Sequence, residues 1–116
     1  MKIKIALTFG FLAIVTIALA QPKYILKAEL AFASENYSEA AELCSAVYAK
    51  LNRMSKKKKA DMAFKTAESF RLTERYKEAN EWYDRTMLLD YQERNPLVLR
   101  YNGDMLRMMA YFEKAI

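Results

Sequence analysis

The sequence predicts an all-α chain built from repeated antiparallel helix pairs. Three observations carry this. An aromatic residue stands three positions before an alanine in Asn36-Tyr37-Ser38-Glu39-Ala40, Arg75-Tyr76-Lys77-Glu78-Ala79 and Tyr111-Phe112-Glu113-Lys114-Ala115, the alanines lying 39 and 36 positions apart. Apolar residues recur at three- and four-residue spacing, the period of a helix with one buried face. The 116 residues hold only two glycines and two prolines, too little turn chemistry for a β fold.

The chain opens on a separate segment, residues 1–20. Lys2 and Lys4 precede the apolar stretch from Ile5 to Leu19, which ends in Ala18-Leu19-Ala20. A basic start, an apolar core and a small-x-small exit are the parts of a secretory signal peptide. Cleavage after Ala20 would start the mature chain at Gln21. No cysteine follows, so a lipoprotein signal does not fit. An uncleaved anchor is the rival reading; a span needs about 20 apolar residues, and Thr8, Gly10 and Thr16 dilute this one. The expected location is therefore outside the cytoplasm.

Residues 21–116 form the expected repeat domain, with units at about 21–54, 60–95 and 96–116. In the first unit, Tyr37, Ala40, Ala41, Cys44, Val47, Tyr48 and Leu51 mark one helical face. In the second, Tyr76, Ala79, Tyr83 and Met87 do the same, with Trp82 beside them. Ser34-Glu35-Asn36 and Thr73-Glu74-Arg75 read as the tight connectors that turn each chain back. Pro22 and Pro96 suit the first turn of a helix. The third unit stops just after Ala115, so its second helix is expected to be cut short, leaving Leu99, Met105, Leu106 and Met109 poorly covered.

Charge narrows the function. Losing Lys2 and Lys4 lowers the basic residues from 19 to 17, against 14 acidic ones, a mild excess. Four of them form the run Lys56-Lys57-Lys58-Lys59, expected to be a solvated connector between helices. It is too local for a nucleic-acid face, which spreads its cations and interleaves aromatics. The acids on helices read as surface patterning, Glu74 with Lys77 or Glu78 and Glu81 with Arg85 among them.

Catalytic chemistry finds no foothold. Histidine is absent, which removes the commonest general base and metal ligand. No phosphate loop, metal-ligand cluster or activated nucleophile is present. Cys44, the single cysteine, cannot form an internal disulfide and falls on the packed face, where a thiol is inert. The chain is expected to be no enzyme, with no cofactor, no metal and no small-molecule substrate.

The repeat resembles the tetratricopeptide family, whose unit is a helix–turn–helix of about 34 residues. Its small and large packing residues correspond to Ala28, Ala31, Tyr37, Ala40 and Cys44 in the first unit. They correspond to Ala67, Phe70, Tyr76, Ala79 and Tyr83 in the second, and to Gly103, Leu106, Phe112 and Ala115 in the third. The sequence departs from the family's tryptophan, alanine and proline at Ala63, Thr86 and Tyr91, and carries extra residues at Arg53 to Lys58. The resemblance implies a right-handed solenoid of about two and a half repeats. It also implies a concave partner groove lined by the first helix of each unit: Ile25, Glu29, Phe32 and Ala33; Asp61, Phe64, Glu68, Arg71 and Leu72; Leu97, Arg100, Asp104, Arg107 and Met108. Such a groove would hold a peptide or loop of a protein partner. Glu68/Arg71, Arg100/Asp104 and Asp104/Arg107 could equally be intrahelical pairs.

The phrase from Phe64 to Leu72, followed by Arg75 to Tyr83, is similar to the N-terminal repeats of exported OmpA-family proteins of Bacteroidota, including PorE-like components of type IX secretion and gliding. Lys59 to Phe64 and Pro96 to Tyr101 are similar in character. This resemblance implies a non-catalytic scaffold in the periplasm, with peptidoglycan or an outer-membrane envelope complex reached through domains downstream. A regulatory arm of a larger exported enzyme or sensor is the alternative.

Overall fold

The computed structural model describes residues 22–52 and 55–115, with side chains through Tyr111. The leader-like segment, Gln21, Arg53, Met54 and Ile116 lie outside the described residues. The rest is all-helical: α1 (Lys23–Ala33), α2 (Tyr37–Lys50), α3 (Lys56–Leu72), α4 (Tyr76–Leu88), a short 3-10 turn (Tyr91–Glu93) and α5 (Leu97–Ala115). Each helix packs against the next in the chain.

Two turns set this order, and they are copies of one another. Asn36 N–H bonds to Ala31 C=O at 3.0 Å and Glu35 N–H to Phe32 C=O at 3.0 Å. Thirty-nine residues on, Arg75 N–H bonds to Phe70 C=O at 2.8 Å and Glu74 N–H to Arg71 C=O at 3.1 Å. This is the Schellman arrangement, which satisfies the last carbonyls of a helix and needs a left-handed residue. Glu35 (φ 61°) and Glu74 (φ 63°) take that conformation. Nothing in glutamate favours it, so packing of the flanking helices enforces the turn.

The small residues let the helices approach closely. Ala28, Ala40, Ala63, Ala67 and Ala79 are fully buried. One core cluster joins Ile25, Ala28, Cys44, Val47 and Met62. A second joins Ala67, Ala79, Tyr83, Val98 and Met105, with Phe64, Phe70, Trp82 and Tyr101 against it. α3 serves both: Met62 enters the first cluster and Ala67 the second. Its buried hydroxyls cost little, because Thr66 donates to Met62 C=O at 2.8 Å and Ser69 to Lys65 C=O at 2.7 Å, leaving no orphaned polar group.

Helices two apart in the chain also touch. Lys58 of α3 pairs with Glu29 of α1. Trp82 of α4 meets Tyr48 of α2 edge to face, ring centroids 5.0 Å apart. The Arg71 guanidinium of α3 lies 4.3 Å from the Tyr101 ring centroid of α5.

The structure corrects three expectations. The four lysines are no connector, since α3 begins at Lys56 and they form its first turn. Cations there oppose the helix dipole. Contacts reached only on folding offset this: Lys56 with Asp90 at 2.7 Å, Lys58 with Glu29, and Lys59 bonded to Leu51 C=O at 3.3 Å. Secondly, α5 runs unbroken from Leu97 to Ala115, so the third aromatic–alanine signature does not open a second helix. Met109-Ala110-Tyr111 lies where the other units carry Ser-Glu-Asn or Thr-Glu-Arg, and methionine and alanine are strong helix formers. Thirdly, Arg85 stacks on Trp82 at 4.3 Å and Glu78 pairs with Arg75 at 3.6 Å, in place of the expected Glu81 and Lys77 partnerships.

Candidate partner-binding face

Ten of the fourteen residues expected to line a partner groove separate into three groups. The first group gathers between α1 and α3. Glu29 of α1 pairs with Lys58, and Asp61 accepts from Lys65 Nζ at 2.9 Å. The same ammonium lies 6.0 Å from the Phe32 ring centroid. One turn along, the Phe64 ring stacks on Tyr91 with centroids 5.0 Å apart and planes 26° apart. Glu29, Phe32, Asp61 and Phe64 are all half-buried. Lys65 is their common neighbour. Burial alone would lower its pKa, but the bond it donates to Asp61 and the charges of Asp61 and Glu29 hold it above the ordinary lysine value.

Behind this group lies Cys44, fully buried, its thiol donating to Ala28 C=O at 3.8 Å. Burial pushes the thiol up from 9.0 to about 11, despite the opposing pull of Lys65. A thiol held protonated is a poor nucleophile and a poor ligand, as its place on the packed face suggested.

The second group is Glu68, Arg71 and Leu72. Glu68 is 8% exposed, and the structure withdraws it from the groove. Its Oε2 accepts from Arg71 Nη2 at 2.6 Å and its Oε1 from the Tyr83 hydroxyl at 2.5 Å. Arg71 Nε also donates to the Tyr83 oxygen at 3.1 Å, and its plane covers Tyr101. Burial works against the Arg71 charge, and its bonds to Glu68 more than restore it. Burial raises the Tyr83 phenol strongly, with Glu68 adding to it. The side chains of α3, α4 and α5 meet here in a closed polar network. Of this group only Leu72, 44% exposed, is presented outward.

The third group lies on α5. Asp104 and Arg107 pair with each other at the surface. Arg100 is exposed and enters no ion pair among the described residues. Of the further groove positions, Ile25 is buried in the first core cluster and Leu97 is exposed.

Four participants escaped the sequence reading: Lys58, Lys65, Tyr91 and Tyr101. Only Lys65 had a local signal, its spacing of four from Asp61. The others are brought in from separate elements by the tertiary fold.

Among the described residues, no three His, Cys, Asp or Glu side chains cluster as a metal site would require. No helix among them is long and apolar enough to cross a membrane. A surface depression of about 390 Å³ is lined by Tyr48, Lys56, Lys59 and Leu89. Compared with known proteins, the chain matches no family model, no curated protein and no solved structure.

Proposed function

We propose that the chain is a tetratricopeptide-type scaffold that holds a protein partner and carries out no catalysis. The observation that carries this reading is the duplicated turn. Two helix pairs 39 positions apart share a backbone hydrogen-bond pattern, a left-handed glutamate and a fully buried alanine, Ala40 and Ala79. Repetition of this kind stacks helix pairs into a superhelix whose first helices share one face. In that arrangement α1, α3 and α5 line the inner side, in a right-handed solenoid.

The binding anchors on that side are Phe32, Lys65, the Phe64–Tyr91 stack and Leu72. Glu29 and Asp61 hold the lysines in place, since their charges are matched locally. An aromatic and cationic surface of this type suits an extended peptide or loop, because aromatic anchors contribute most of the energy at interfaces. The basic start and apolar stretch of residues 1–20 support a location outside the cytoplasm, and the resemblance to OmpA-family repeats supports an envelope complex as the setting.

Photo-crosslinking tests the face directly. A photoreactive phenylalanine at Leu72 or Phe64 should yield adducts with another protein in cells, while one at Leu88, 82% exposed on α4, should not. Equal yields from Leu88, or none from Leu72 and Phe64 in a folded chain, would remove the reading.

A further inference from the structure

We infer that α5 is an acceptor for an amphipathic helix of another polypeptide, one with the chemistry of α4. The argument starts from α3, which has two buried faces. Met62, Thr66 and Ser69 follow one another at helical spacing on the first, where Met62 joins the α1–α2 cluster. Ala63, Ala67 and Phe70 follow on the second, where Ala67 and Phe70 pack with Ala79 and Tyr83 of α4. Thirty-six positions on, α5 repeats both sets.

Its first face is Val98, Asn102 and Met105. It is filled as in α3: Val98 and Met105 are buried against α4 residues, and Asn102 donates to Asn80 at 2.8 Å and Asp84 at 3.1 Å. The second face is Leu99, Gly103 and Leu106, and it is open. Leu99 is 56% exposed and Leu106 50%. A Cβ placed on Gly103 would meet nothing within 4 Å. A glycine between two leucines makes a recess into which a facing helix can settle closely.

The polar part of the site is half-built in the same register. Asp104–Arg107 lies 36 positions after Glu68–Arg71. In the earlier pair the Tyr83 hydroxyl of α4 bonds both partners. Asp104 and Arg107 have the acceptor and the donor for such a hydroxyl and remain at the surface. The occupant is thereby specified: an alanine over Gly103, as Ala79 lies over Ala67, and a hydroxyl-bearing aromatic four residues later, as Tyr83 follows Ala79. A second copy does not supply it readily, because its own Ala79 and Tyr83 are buried.

The test uses the full chain and a labelled peptide of its own residues 73–90, held helical by a lactam between Lys77 and Glu81, both of which face solvent. Fluorescence anisotropy should show saturable binding. Leu106→Lys and Gly103→Leu in the chain should each weaken it by about tenfold or more, as loss of an anchor does, while circular dichroism shows both variants folded. Tyr83→Phe in the peptide should weaken it against the native chain and change nothing further against Arg107→Ala. Absence of saturable binding, or binding indifferent to Gly103→Leu and Leu106→Lys, would overturn the inference. So would a dimer of the chain alone, seen by light scattering and dissolved by Leu106→Lys, because the face would then belong to a second copy.

Discussion

The Tyr83 hydroxyl donates to Glu68 Oε1 at 2.5 Å across the α3–α4 packing, and Arg71 bonds both residues. A buried carboxylate is tolerable only with such partners. Tyr83→Phe keeps the ring and removes one of them, so it should cost about 1–3 kcal/mol. Glu68→Ala should cost at least as much, since it leaves Arg71 and the phenol without their acceptor. The double variant should be far less destabilised than the sum, the mark of one network. Urea titrations of the four proteins measure this, and additive losses would mean that the three groups act separately.

Alkaline pH should unfold the chain through groups that stay protonated only when folded. Cys44 rises from 9.0 to about 11 on folding, chiefly through burial. Tyr83 is raised as well. A raised folded pKa means that the contribution is complete below the unfolded value and is lost as pH climbs through the folded one. Stability should therefore be level to about pH 9 and fall between pH 9 and 11, Cys44 accounting for up to about 1.4 kcal/mol per pH unit. Cys44→Ala should flatten that part of the profile. Thermal midpoints taken across the window would show it, and an identical slope in the variant would exclude Cys44.

Glu35 and Glu74 occupy left-handed backbone that disfavours a side chain by about 1–2 kcal/mol. Glycine has no such penalty but loses more freedom on folding. Glu35→Gly and Glu74→Gly should therefore stabilise by a few tenths to about 1 kcal/mol, while Glu74→Val should destabilise. Denaturation midpoints decide; a loss on Glu74→Gly would show that the carboxylate itself holds the turn.

Ala67 and Gly103 hold equivalent places in α3 and α5, one packed and one open. Ala67→Leu should overpack the α3–α4 contact and cost about 1–3 kcal/mol, and Ala79→Leu likewise. Gly103→Ala should do the reverse, gaining roughly 1 kcal/mol from helix propensity alone, because nothing opposes its Cβ. A drop in thermal midpoint for Gly103→Ala would mean that the recess is filled in solution.

The sequence by itself determined the helices, their pairing and the packed residues Ala28, Ala40, Cys44, Ala67, Ala79 and Tyr83, because each depends on a period of three to four residues along one segment. It also determined both tight turns, where polar residues interrupt the apolar period. Local spacing also offered the intrahelical pairs Glu68–Arg71 and Asp104–Arg107, but only the tertiary structure decided the long-range partners of the charges. Glu29 found Lys58, Lys56 found Asp90, and Glu68 was drawn into the core by Tyr83, pairings across 29, 34 and 15 positions that no local period encodes. The same limit misplaced the third unit. Its aromatic–alanine spacing matched, but a turn also needs residues that stop a helix, and Met109-Ala110-Tyr111 carries α5 straight through. Apolar spacing is a local property of one helix, whereas the partner of a charge depends on which helices the whole fold brings side by side.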